Sequence, residues 1–187
     1  MKKILLTFAG VLLAVGVQAQ GTVNFANNAA SAISNITTLA RVPAGSSFLA
    51  QLYYGPAGAV SDAAFISVTN APATFTLAGQ VLAGARNTTL AGGAVGSFQI
   101  RSWQASLGST WEAAYPVWQS MVQPTAVLGK SDIIQVTTGD PGAIPPGTPA
   151  SLIAAGLKGF YLQPVPEPSV IALGALGLAA VLWRRRK

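Results

Sequence analysis

Ser47-Phe-Leu-Ala-Gln-Leu-Tyr-Tyr54 and Val95-Gly-Ser-Phe-Gln-Ile-Arg-Ser-Trp103 are the stretches whose reading decides how the middle of this chain folds. Both are short and rich in aromatic and β-branched residues, and the first stops at Gly55-Pro56. In an extended chain alternate side chains share a face, so Phe48, Leu52 and Tyr54 fall together. Thr22-Val-Asn-Phe25, Phe65-Ile-Ser-Val68, Thr74-Phe-Thr-Leu77, Asp132-Ile-Ile-Gln-Val-Thr137 and Gly159-Phe-Tyr-Leu-Gln163 repeat the style. The 20 glycines and 12 prolines among 187 residues punctuate these runs. Short runs at this density predict a mostly β body, a single antiparallel, jelly-roll-like β-sandwich.

Three stretches stand apart. Asn28 to Leu39, rich in Ala, Ser, Asn and Thr, reads as a loop or weak strand. Thr110 to Ser120 sets Trp111, Ala114, Tyr115 and Trp118 at helical spacing, and Pro116 limits the expectation to a turn or two of helix before it. Pro141 to Pro149 has too few backbone donors for a central strand and reads as an exposed loop.

The formal net charge is +6. Lys2 and Lys3 account for +2, and Arg184, Arg185, Arg186 and Lys187 against Glu167 for +3. Residues 20–166 are left with +1, carried by scattered groups, so there is no phosphate-binding stripe and no nucleic-acid partner is expected. The body is apolar enough to fold, and its length suffices to bury a core as one domain.

The body carries little recognisable chemistry. Without His or Cys, Ser-His and Cys-His nucleophile pairs, His/Cys zinc sites and disulfides are excluded. A carboxylate pair would have to come from Asp62, Glu112, Asp132 and Asp140, and no spacing places two of them together or offers a calcium loop. They read as turn caps and solubilising groups, with Asp140 before Pro141-Gly142 as a turn starter. Gly92-Gly-Ala-Val-Gly96 lacks the phosphate-loop Lys and reads as a turn. Trp103, Trp111, Trp118, Tyr53, Tyr54 and Tyr115 could offer stacking faces to sugars, but filling the core is the preferred reading. No catalytic residue, cofactor or metal is expected.

The two ends are more explicit. Lys2 and Lys3 precede an uncharged run, Ile4 to Val17, and then Val17-Gln18-Ala19. That order is a secretory signal helix, with signal peptidase cutting between Ala19 and Gln20. At about 21 Å the run is short for a bilayer core of about 30 Å. At the other end Pro164-Val-Pro-Glu-Pro168 cannot form regular helix. Ser169 to Trp183 follows without a charge, and then Arg184-Arg-Arg-Lys187. An apolar transmembrane helix with four cations at its end stops transfer and leaves the body outside.

Val165-Pro166-Glu167-Pro168, the apolar helix and the basic end, in that order, resemble the PEP-CTERM sorting signal. The resemblance implies recognition by an exosortase, a membrane protease-transpeptidase that supplies the catalytic residues and cuts near the motif. The body would then be released or attached at the envelope or in extracellular polysaccharide. Gly21-Thr-Val-Asn-Phe25 and Phe98-Gln-Ile-Arg-Ser-Trp103 are also similar to bodies that carry such tails, which brings no activity with it.

The organisation expected is therefore a signal peptide over 1–19, a β-sandwich body over 20–163 and a sorting tail over 164–187. Its partners would be signal peptidase, exosortase, the membrane as a transient anchor, and polysaccharide. The final location would be the cell surface or matrix. The role expected of the body is structural or adhesive and not enzymatic; the alternative is a carbohydrate-binding module using exposed aromatic residues.

Overall fold

Strand β3 (Gly45–Pro56) and strand β7 (Val95–Gln104) are the expected pair of apolar runs, and they pair antiparallel from Phe48↔Gln104 to Pro56↔Gly96. The computed structural model describes residues 19–69, 71–120 and 122–165. The apolar segments expected to form the signal and transmembrane helices lie outside these residues. Among the described residues no helix is long and apolar enough to cross a membrane.

Seven further strands complete the main sheets. They are β1 (Gln20–Ala26), β4 (Ile66–Ser67), β5 (Ala73–Phe75), β6 (Leu82–Ala91), β8 (Leu128–Lys130), β9 (Ile134–Thr137) and β10 (Ala150–Ser151). One sheet has six strands, in the order β4-β3-β7-β8, with β5 also on β3 and β9 also on β7. A second has the order β10-β1-β6. A two-stranded sheet joins β2 (Ser34–Asn35) to β11 (Tyr161–Leu162). The body is mostly β, as expected.

Not every pairing is antiparallel. Val23 pairs with Ala150 and Ser34 with Tyr161 in parallel register. Each joins strands far apart in the chain, so no hairpin constrains their direction.

Side chains of both large sheets share the main core: Val23 and Phe25 of β1, Leu52 and Tyr54 of β3, Phe98 and Ile100 of β7. Tyr54 reaches across it, its hydroxyl donating to Thr89 Oγ1 at 3.1 Å and accepting from the Thr89 N–H at 3.0 Å. The opposite face of β3 and β7 is covered too. There Tyr53 and Trp103 pack with Phe65, Leu107, Trp111 and Leu128 in a second cluster. Burial on both faces explains why β7 is buried from Gly96 to Trp103 without alternation.

The cover on that outer face is helix α1 (Trp111–Gln119), longer than expected. It runs through Pro116 instead of ending before it. Proline there removes a hydrogen bond to the Glu112 carbonyl. Helix geometry resumes at once, with the Ser120 N–H donating to the Pro116 carbonyl at 3.0 Å, and Tyr115 stacks on Trp118 across the break. Packing of one aromatic face outweighs the lost bond.

Where β1 ends, Asn27 joins three segments while wholly buried. Its Nδ2 donates to the carbonyls of Ser31 (2.8 Å) and Gly79 (2.9 Å), and its Oδ1 accepts from the Val81 N–H at 2.6 Å. Asn27→Ala would take their partner from the Ser31 carbonyl and the Val81 N–H, while the Gly79 carbonyl keeps the Ile33 N–H at 2.9 Å. Stability in urea should fall by about 3 kcal/mol, with an unchanged denaturant slope, in the fragment Gln20–Val165 followed by tryptophan fluorescence.

Candidate functional site

Thr110 starts α1 as its N-cap, the hydroxyl accepting from the Ala113 N–H at 3.2 Å, and Glu112 sits in the first turn where the helix dipole favours an anion. Spacing of four and three residues then puts Trp111, Tyr115 and Trp118 on one side. Their rings form a column, Trp111 to Tyr115 at 5.7 Å and Tyr115 to Trp118 at 5.9 Å, both stacked. Trp103 meets Trp111 edge-on at 6.1 Å and ties the column to β7. The indole N–H of Trp103 donates to the Gly108 carbonyl at 2.8 Å, and that of Trp118 to the Gln163 carbonyl at 3.2 Å.

Below the column lies Arg101, only 5% exposed although charged. Its guanidinium stands 4.2 Å from the Tyr53 ring centroid and 5.4 Å from that of Trp111. Nε donates to Gln99 Oε1 at 3.0 Å, and Nη2 lies 3.5 Å from Asp62 Oδ1. Asp62 Oδ2 also receives Lys130 Nζ, the neighbour of Arg101 across the β7–β8 pairing. Glu112 accepts the Tyr53 hydroxyl at 2.6 Å. Burial, reinforced by the Glu112 hydrogen bond and charge, pushes the Tyr53 phenol well above its usual range, while Arg101 pulls the other way.

Two clefts flank the column. One, of about 460 Å³, is lined by Asp62, Arg101, Trp111, Glu112 and Tyr115. The other, of about 360 Å³, has Trp111, Tyr115 and Trp118 beside Lys130, Asp132 and Tyr161. Together they present fixed carboxylate acceptors and cationic donors next to aromatic surface.

Measured against the sequence reading, Trp103, Tyr53, Tyr54 and Trp111 are buried and fill cores. Tyr115 is 39% exposed and Trp118 half-buried, and their faces are turned to one another in the column. Asp140 behaves as the turn starter expected, accepting the Gly142 N–H at 2.9 Å. No spacing in the sequence placed two carboxylates together, but the fold brings two to one cleft. Asp62 and Glu112 line one cleft, brought together because a 3₁₀ turn at Asp62–Ala64 and α1 both cover the outer face of the sheet. Sequence reasoning also passed over Arg101, counting it among scattered cations. A lone Arg between Ile100 and Trp103 in a strand run was the available signal.

The C-terminal segment docks beside this site. Leu128 and Gln163 exchange backbone hydrogen bonds of 3.2 and 2.9 Å, and Val165 is buried. The chain then enters Pro166-Glu167-Pro168; these residues and Arg184, Arg185, Arg186 and Lys187 lie outside the described part. Residues 164–187 match the family model of the PEP-CTERM protein-sorting motif.

The tail is a PEP-CTERM sorting signal. A PEP-CTERM signal implies an exported protein whose precursor is anchored in the membrane, with an exosortase as its processing partner. No curated protein and no solved structure matches the chain. At the other end, the carbonyl of Ala19 accepts the Gly92 N–H at 2.8 Å, and Gln20 opens β1 opposite Ala91.

The Tyr53–Glu112 contact has a measurable signature. The folded state keeps the Tyr53 proton where an unfolded phenol, near 10, gives it up, so stability declines as pH climbs past about 10. Tyr53→Phe should lower stability at neutral pH by about 1–2 kcal/mol and flatten that alkaline decline, read from urea melts across pH.

Proposed function

We propose that this chain is an exported surface or extracellular-matrix protein, cut after Ala19 and again near Pro166-Glu167-Pro168, whose retained body is structural or adhesive and catalyses nothing. The observation that carries the proposal is the sorting tail joined at Val165 to a packed β body. We read the two large sheets, which share one core, as the layers of a sandwich. Cleavage after Ala19 suits a body whose first strand starts at Gln20. The basic end, Arg184 to Lys187, holds the precursor in the inner membrane with the body on the outer side until processing.

The motif itself would offer the exosortase an extended stretch poor in backbone donors, with Glu167 as a single anion between prolines. Glu167→Gln should leave export and insertion intact while an unprocessed form accumulates in the inner membrane. Immunoblots of membrane and culture fractions, with an epitope in the 141–149 loop, would show it. Equal mature product from both chains would remove Glu167 as a determinant.

A second reading, carbohydrate binding, is favoured by the two clefts along the Trp111–Tyr115–Trp118 column. Arg101 and Lys130 offset Asp62 and Glu112, so the larger cleft and its border carry no net charge. Paired acceptors and donors beside apolar rings suit a neutral sugar, whose hydroxyls need both and whose C–H face needs an apolar surface. A glycan array with the fragment Gln20–Val165 should then show neutral polysaccharide bound ahead of acidic. Tyr115→Ala with Trp118→Ala should weaken it at least about tenfold, equivalent to about 1.4 kcal/mol. No glycan bound would leave the structural reading alone.

A further inference from the structure

Three exposed apolar side chains, Ile36, Leu39 and Val122, stand on loops near the point where the chain passes into its sorting tail. Strand β11 pairs with β2 in parallel, Tyr161↔Ser34 and Leu162↔Asn35, and the Ile36 N–H donates to the Leu162 carbonyl at 2.9 Å. Parallel pairing makes the two segments advance together, so residues 36–39 run beside 163–165 toward the same pole of the body. A cleft of about 360 Å³ between them is completed by Pro124 and Thr125. On the loops that line it, Leu39 is 74% exposed, Val122 74% and Ile36 44%.

These side chains are held outward by construction. The loop is closed by the Asn35 N–H donating to the Ala40 carbonyl at 2.8 Å and by Asn35 Oδ1 accepting the Thr37 N–H at 2.8 Å. At its tip Leu39 sits at φ 54°, a left-handed conformation that carries a cost for a residue with a Cβ. The fold therefore spends free energy to point a leucine into solvent. Neither residues 35–40 nor residues 122–127 include an ionisable group. The tail emerges firmly fixed as well: a Cβ on Gly129 would stand 2.5 Å from the Tyr161 carbonyl oxygen, so β8 and β11 lie in close contact there.

We infer that this pole, with Leu39, Ile36 and Val122 as its apolar rim, is a membrane-seating face that rests on the lipid surface while the precursor is anchored. The inference rests on the reading of the tail as a membrane anchor. Its basis is chain length: only Pro166, Glu167 and Pro168 separate the buried Val165 from the uncharged run that begins at Ser169, so the body is held within a few residues of the bilayer surface. Apolar side chains held there enter the interface at little cost, whereas in water they remain hydrated. Lipid is the occupant because the tail delivers this pole to it before any other partner. The opposite pole faces away. Val95 of β7 pairs with Thr137 at that end and Trp103 with Leu128 at this one, about 27 Å apart along the strand. Ile144, 99% exposed in the loop after Asp140, belongs to the far end, as does the half-exposed Val95, so what singles out the near pole is its junction with the tail.

The chain has no cysteine, so single cysteines can be placed without background. The full chain carrying Leu39→Cys, Val122→Cys or Ile144→Cys, each with an environment-sensitive fluorophore, is inserted into vesicles of phosphatidylethanolamine and phosphatidylglycerol containing headgroup-quencher lipid. Quenching at 39 and 122 should exceed that at 144 several-fold. A Thr125→Cys label should lose quenching when Leu39→Asp and Val122→Asp are added, with the circular dichroism spectrum unchanged. Flotation separates the two readings. A chain that does not float lacks the anchor, and the seating falls with it. A chain that floats but is quenched equally at all three positions overturns the seating alone. Because no exosortase is present, a rim built for that protein would also give equal quenching and overturn the proposal.

Discussion

Arg101 is a charged group in a strand covered on both faces, and that constraint dictates what stands around it. A guanidinium removed from water is tolerable only with compensation close by. Tyr53 and Trp111 give it ring faces, Gln99 a hydrogen bond, and Asp62 a counter-charge that Lys130 then shares. Trp111 belongs to α1, and Glu112 beside it is bound by Tyr53. The helix is therefore anchored to the sheet by the needs of one buried cation as much as by apolar contact. Both clefts exist because α1 lies there.

Much of this architecture was legible in the sequence, and the failures have physical causes. Strands β1, β3, β7 and β9 were visible because each is a run of aromatic and β-branched residues. Strand β6 was not. It is an edge strand on which only Thr88 is buried, so Leu82 to Ala91 shows no apolar alternation to read. The outer face of β3 was half legible. Tyr53 was read as core-filling in preference to a stacking face, but its partners there, the distant Trp111 and Phe65, were not visible in the strand itself. Pro116 misled for a related reason: local propensity registers the missing donor, whereas the stacking of Tyr115 on Trp118 appears only once a helix is built.

The candidate site was legible as residue types and not as an assembly. Asp62 and Glu112 were visible as carboxylates and Trp111, Tyr115 and Trp118 as a helical stripe, but their convergence depends on a turn and a helix 50 residues apart. The tail is the opposite case. A sorting signal is read along the chain by another protein, so its information is linear: Pro166, Glu167 and Pro168, an apolar stretch and a basic end. What another protein reads as a string survives in the sequence, and what the fold reads in three dimensions does not.

The hydrogen bond from the Trp118 indole to the Gln163 carbonyl acquires mechanical meaning once the body is tethered by its C-terminal end. A load on Val165 runs along β11, whose bonds to β2 and to Leu128 lie across the direction of pull and are strained together in shear. The two-residue strand is short and nearest the tether, so under such a load it would be expected to yield early. Were Gln163 to slip, Trp118 would lose its partner, and the outer end of the ring column would be freed before the Arg101 assembly beneath. Tension at the tether would thus be felt first in the aromatic surface, turning the body's attachment point into a gauge of strain.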